Sequence, residues 1–147
     1  MGLFDKVLGK ESGAVSLTKT EGFAAIAVAA VAADGEISQE EIQRSVIDLA
    51  TLRAFRGHDM REMGNTLNKV AGLIKRRGPG PVLQAAKGVL GQEEAQAAFF
   101  VAADLALADG VAEDKERKFL EEIKGILQVD DATAMKIVEV VIIKNRA

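Results

Sequence analysis

Cysteine, tryptophan and tyrosine are absent from this sequence of 147 residues, and there is a single histidine. Without cysteine the chain can form no disulfide, thiolate metal site, iron–sulfur cluster or cysteine nucleophile. The sequence also lacks most of the groups that serve proteins as general acids and bases, stacking surfaces or imidazole ligands. These absences predict a protein of a reducing compartment that is not an enzyme.

The charge balance and the hydrophobic runs exclude two further classes. Lys and Arg total 19 against 22 Asp and Glu, so the chain has no basic excess with which to bind the phosphates of a nucleic acid. The longest apolar run, residues 23–33, is about half the length that a membrane-spanning helix needs. We therefore predict a buried helix there, no nucleic-acid partner and a cytoplasmic location.

The composition predicts helices throughout, because it is rich in alanine and has no alternating apolar pattern of the kind that strands require. We expect an all-α protein, a compact bundle of six to seven helices. Capping residues and Gly or Pro breaks place the predicted helices at 21–33, 38–54, 59–75, 82–90, 92–108, 113–127 and 130–144.

We expect one domain over residues 1–147, divided into four parts. Residues 1–20 form an amphipathic N-terminal segment, 21–55 a first half, 56–91 connecting helices and 92–147 a second half. The N-terminal segment has an apolar face suited to docking on the domain itself, on a partner or on a membrane surface, formed by Leu3, Phe4, Val7 and Leu8.

A short internal repeat at an offset of 75 residues relates the two halves. Ala33-Asp34-Gly35 recurs as Ala108-Asp109-Gly110, each time after an alanine-rich helix, and Glu41 recurs as Glu116. Each half therefore reads as helix, Asp-Gly turn and helix, which predicts two pseudo-duplicated halves.

Two interpretations of these carboxylates are open. In the first, the aspartates belong to ordinary helix-ending turns and Glu41 completes a capping box with Ser38. That interpretation is weaker in the second half, where Glu113 stands in place of the capping serine. In the second interpretation the two turns meet, and their carboxylates bind a divalent cation.

The candidate metal ligands are Asp34, Glu41, Asp109 and Glu116. Ligand sets of oxygen without His or Cys suit calcium first, and magnesium or another hard divalent ion as alternatives. Further negative charge near the site is expected from three more residues, Asp104, Glu113 and Asp114.

The opening Met1-Gly2-Leu3-Phe4-Asp5-Lys6-Val7, the two Ala-Asp-Gly turns with their glutamates, and the helical pattern together resemble the bacterial tellurite-resistance TerB family over essentially the whole chain. The resemblance implies a compact helical domain with no catalytic activity, found in tellurite-resistance and stress-response gene clusters. It also implies a divalent-metal site at the four carboxylates above. Its partners would be other proteins of the same gene cluster, membrane-bound ones among them, which would place the protein peripherally at the inner membrane.

Two functions remain open at this stage. One is a non-enzymatic stress protein that binds a divalent cation and acts with partners. The alternative is a structural protein–protein interaction module without a metal site. Direct binding of tellurite is not expected, because a pocket of carboxylates repels an oxyanion and the chain has no thiol to reduce it. A carboxylate-only hydrolase is weaker still, since the sequence shows no nucleophile.

Overall fold

A computed structural model describes residues 14–32 and 37–147, and within those ranges the chain forms seven α-helices and no strand. The predicted all-α class and helix number are confirmed. The helices are α1 (Lys19–Val31), α2 (Gln39–Ala50), α3 (Met60–Arg77), α4 (Pro79–Val89), α5 (Gln92–Ala106), α6 (Asp114–Leu127) and α7 (Asp131–Arg146). A short 3₁₀ turn, Arg53–Phe55, lies between α2 and α3.

Two predicted features lie outside the described residues. One is the amphipathic face of the N-terminal segment, and the other is the first Asp-Gly turn, which includes Asp34. The duplication of the two halves therefore stays a prediction, because it depends on a comparison of both turns.

Helix α1 forms the centre of the bundle. Residues 21–31 are all buried, and α2, α3, α4 and α5 pack around them. Five of the thirteen residues of α1 are alanine and one is glycine, so neighbouring helices can approach closely on every side. At Gly22 a β-carbon would lie 2.8 Å from Val89 Cγ2 of α4. A helix that is apolar all round is stable in water only when it is enclosed in this way.

Polar side chains at the predicted positions begin the helices. Ser38 Oγ accepts a hydrogen bond from the Glu41 N–H (3.1 Å), and Glu41 Oε1 accepts one from the Ser38 N–H (3.0 Å). This reciprocal pair is the predicted capping box, and it satisfies two amide donors at the start of α2. Asp130 likewise accepts from the Thr133 N–H at the start of α7.

Several helix boundaries differ from the prediction by a few residues, and two of these differences have a physical reason in the structure. Helix α2 ends at Ala50 rather than at residue 54, because the 3₁₀ turn directs Phe55 into the core, where its ring lies 6.5 Å from that of Phe23. Helix α4 begins at Pro79 rather than at residue 82, directly after Gly78 with its φ of 81°. Proline is tolerated in a first helical turn because the amide it lacks would have no partner there.

The second Asp-Gly turn follows α5, which ends at Ala106, two residues earlier than predicted. Gly110 has a φ of 75°, the left-handed conformation that glycine adopts most readily after a helix. Helices α6 and α7 then both pack back onto α5. The turn therefore lies between α5, α6 and α7.

None of the helices in the two described ranges has both the length and the apolar character needed to cross a bilayer.

The close packing around α1 predicts a large effect of added volume. We expect Ala27→Leu to destabilise the protein by about 1–3 kcal/mol, because Ala27 is fully buried and its neighbours must move to admit the larger side chain. Urea unfolding followed by circular dichroism measures the change. The matched control is Ala132→Leu, since Ala132 is exposed on α7. Equal stability of the two variants would contradict the packing argument.

Candidate functional site

A cleft of about 350 Å³ contains three of the four predicted metal ligands. Glu41 reaches it from the first turn of α2, Asp109 from the turn after α5, and Glu116 from the first turn of α6. Residues from both halves of the chain therefore line one cleft, while Asp34 lies outside the described residues. The remaining lining residues are Ala30, Val31, Leu105, Ala106, Ala108, Glu113, Lys115 and Phe119.

The charge of the cleft is predominantly negative. Of the three residues expected to add negative charge, Glu113 lines the cleft, whereas Asp114 is exposed beside it and Asp104 lies elsewhere. Lys115 is the one basic side chain among the lining residues. Four carboxylates facing one lysine attract a cation more readily than an anion.

Each of the three predicted ligands in the cleft already accepts one backbone hydrogen bond. Glu41 Oε1 accepts from the Ser38 N–H (3.0 Å), Glu116 Oε1 from the Glu113 N–H (3.4 Å) and Asp109 Oδ1 from the Val111 N–H (3.0 Å). Each carboxylate therefore keeps a second oxygen for another partner.

The bond at Glu116 corrects one step of the sequence argument. Replacement of the capping serine by Glu113 removes only one of the two bonds of a capping box, because Glu116 still accepts from the backbone at the helix start. Capping therefore accounts for part of the pattern in both halves. It does not account for the convergence of the two halves on one cleft.

The chemistry of these donors fits a hard divalent cation, but their spacing is not that of a closed coordination shell. Among residues 14–32 and 37–147, no three Asp, Glu or His side chains are close enough together to hold a metal ion. An ion bound among the described residues would therefore need water molecules or additional carboxylate ligands to complete its coordination.

A second cluster of polar residues is centred on Asp104, whose side chain is only 5% exposed. Lys144 Nζ lies 3.1 Å and 3.2 Å from its two carboxylate oxygens, and Asn145 Nδ2 donates to Oδ1 at 3.0 Å. Asp48 of α2 forms a hydrogen bond with the same carboxylate. The cluster thus joins α2, α5 and α7 through one buried group.

The hydrogen bond between Asp48 and Asp104 requires a proton on one of the two carboxyl groups. Burial raises the pKa of Asp48 to about 7, and the hydrogen bond and negative charge of Asp104 act in the same direction. Burial also pushes the pKa of Asp104 upward, but hydrogen bonds from Asp48, Lys144 and Asn145 outweigh it and leave that pKa below its usual value. The proton therefore resides on Asp48.

Sequence reasoning expected Asp104 only to add negative charge near the four ligands, whereas the structure makes it the centre of a separate cluster, and the same reasoning missed Asp48 altogether. Asp104 is buried on α5 and is not among the residues that line the cleft. Asp48 has no distinguishing neighbour in the sequence, because its partners are on two other helices. Only the packing of α2 and α7 against α5 reveals the pair.

The raised pKa of Asp48 predicts a pH-dependent stability. The folded state binds more protons than the unfolded state between about pH 4 and pH 7, so this group's contribution to stability falls across that window. Asp48→Asn keeps a donor toward Asp104 without the charge. We expect the variant to gain about 1–2 kcal/mol over the parent at pH 8 and little at pH 4.

Denaturant unfolding at the two pH values measures this difference. Glu139→Gln serves as control, because Glu139 is an exposed carboxylate on α7. A gain that is the same at pH 4 and pH 8 would show that Asp48 does not carry the proton.

Comparison with known proteins identifies one family. The model of the family described as tellurite resistance protein TerB matches residues 20–138, which is most of the chain. No curated protein and no solved structure matches this chain. The resemblance seen in the turns and glutamates of the sequence is thereby confirmed, and the chain belongs to the TerB tellurite-resistance family.

Proposed function

We propose that the protein binds a divalent cation at Asp34, Glu41, Asp109 and Glu116, and that it acts as a non-enzymatic stress and tellurite-resistance protein with partner proteins. Calcium is the ion we expect first, with magnesium or another divalent ion as alternatives. The observation that carries the proposal is the cleft itself, which Glu41, Asp109 and Glu116 all line although 75 residues separate the two glutamates.

The size of the cleft supports a hydrated ion. Its volume of about 350 Å³ leaves room for an ion together with water molecules. Calcium and magnesium both accept water molecules beside carboxylate ligands, and magnesium retains several of them. Water bridges would therefore link the ion to carboxylates that are too far apart to bind it directly. In this proposal Asp34 supplies a further carboxylate from the other turn.

A bound ion would link three elements of the bundle to one another. Glu41 is on α2 and Glu116 on α6, while Asp109 follows α5, so an ion between them would tie three elements by their ends. Occupancy would also neutralise part of the negative charge of this surface. A partner protein could then distinguish the loaded form from the empty form by charge alone. Tellurite itself is not the proposed ligand, because the same carboxylates repel an oxyanion.

Thermal unfolding tests the proposal. Protein stripped with a chelator is compared with and without millimolar calcium, magnesium, manganese or zinc. Ligand at 100 times its dissociation constant stabilises a protein by about 2.7 kcal/mol, so we expect a rise of several degrees in Tm. The rise should disappear in the triple variant Glu41→Gln/Asp109→Asn/Glu116→Gln.

These amide replacements retain an oxygen for each backbone hydrogen bond, so they remove charge without removing the helix caps. The matched control, Glu139→Gln, neutralises an exposed carboxylate on α7 that does not line the cleft, and it should keep the full rise. A rise that persists in the triple variant would place the ion elsewhere. If no ion changes the Tm, the proposed cation site is refuted, and the interaction module without a metal site is the hypothesis to test next by capture of partner proteins.

A further inference from the structure

The last turn of α7 holds the turn that contains Asp109. Asn145 Nδ2 donates to the carbonyl oxygen of Leu107 (2.9 Å), and Arg146 Nε donates to that of Gly110 (2.8 Å). The two carbonyl groups stand on either side of Asp109 in the sequence. Two consecutive residues of α7 therefore donate hydrogen bonds to the backbone before and after Asp109.

The contact is tight as well as polar. A β-carbon on Gly110 would lie 2.7 Å from Arg146 Cγ and 3.3 Å from the carbonyl oxygen of Asn145. The turn therefore rests directly on the end of α7, with no space for a side chain between them. The left-handed φ of Gly110 and this contact both require glycine at the position.

The end of α7 is itself anchored to α5. Asn145 Nδ2 also donates to Asp104 Oδ1 (3.0 Å), and Lys144 Nζ binds both oxygens of the same carboxylate. One amide group thus connects the buried carboxylate of α5 with the carbonyl group of Leu107 at the end of that helix. Movement of the turn away from α7 would break this bond together with the one from Arg146.

The turn has its own hydrogen bonds, which report on its position. The Gly110 N–H donates to the Leu107 carbonyl oxygen (2.9 Å), and the Val111 N–H donates to Asp109 Oδ1 (3.0 Å). The second bond sets the direction of the Asp109 carboxylate. The exchange rates of both amides therefore report on the position of the turn and of the Asp109 carboxylate.

We propose that Asn145 and Arg146 are positioning residues, which hold the Asp109–Gly110 turn and thereby set the affinity of the acidic cleft for its cation. The statement about affinity rests on the function proposed above, whereas the statement about the turn does not. Residues that orient metal ligands typically change affinity by 10–100-fold when they are removed.

Amide hydrogen exchange by NMR tests the positioning without any ion. In Asn145→Ala we expect exchange at Gly110 and Val111 to accelerate at least tenfold more than exchange at core amides of α1, such as that of Ile26. Arg146→Lys keeps the positive charge but not the Nε donor, and the same two amides should accelerate. The control Asn68→Ala makes the first substitution at an exposed site on α3 and should leave them unchanged. Equal acceleration at turn and core amides would overturn the proposal, since it would mean a global loss of stability.

Calorimetric titration with calcium tests the consequence for binding. We expect a Kd about tenfold weaker in Asn145→Ala and in Arg146→Lys, both of which leave the net charge unchanged, and no change in Asn68→Ala. If the turn amides accelerate while the Kd is unaltered, the control of affinity is refuted and the positioning stands. If the parent protein binds no calcium or other divalent ion, the proposed function fails, and the exchange rates alone decide whether α7 positions the turn.

Discussion

The enclosure of α1 by four other helices is the constraint on which the remaining structure depends. Its residues 21–31 are all buried, and its alanines give the surrounding helices a narrow, smooth surface to pack against. Because residues 22–31 carry no polar side chain, this part of the helix has to be covered on every side. The last turns of α1 and α5 and the first turn of α2 lie together at the cleft that contains Glu41 and Asp109.

Carboxylates occur in two settings in this part of the molecule, one buried and one in an open cleft. Asp104 is buried and fully partnered, so it connects helices and shares a proton with Asp48. Asp109 and the two glutamates line an open cleft, and each uses one oxygen for a backbone amide. The first arrangement is a structural link, while the second retains free oxygen atoms for a ligand. The last turn of α7 contacts both, through Asn145.

Membership of the TerB family and the geometry of the cleft contribute different parts of the functional interpretation. The family match places the chain among tellurite-resistance proteins, but it does not indicate which residues act or on what. The proposal of a hard cation as ligand rests on the cleft, because its side-chain donors are carboxylate oxygens and the sequence has no thiol. The proposed cation site would suit sensing or buffering an ion rather than transforming tellurite.

Local sequence determined the helices, most of their starting points and three cleft residues of the candidate site. Caps such as Ser38 with Glu41 act within one turn of the chain. The recurrence of Asp34 and Glu41 as Asp109 and Glu116 is visible in the sequence without any tertiary contact. Tertiary structure decided the end of α2, where burial of Phe55 prevailed over helix propensity. It also decided the role of Asp104 and the involvement of Asp48. Those two aspartates are on different helices, and neither burial nor a shared proton exists until α2 and α5 pack together.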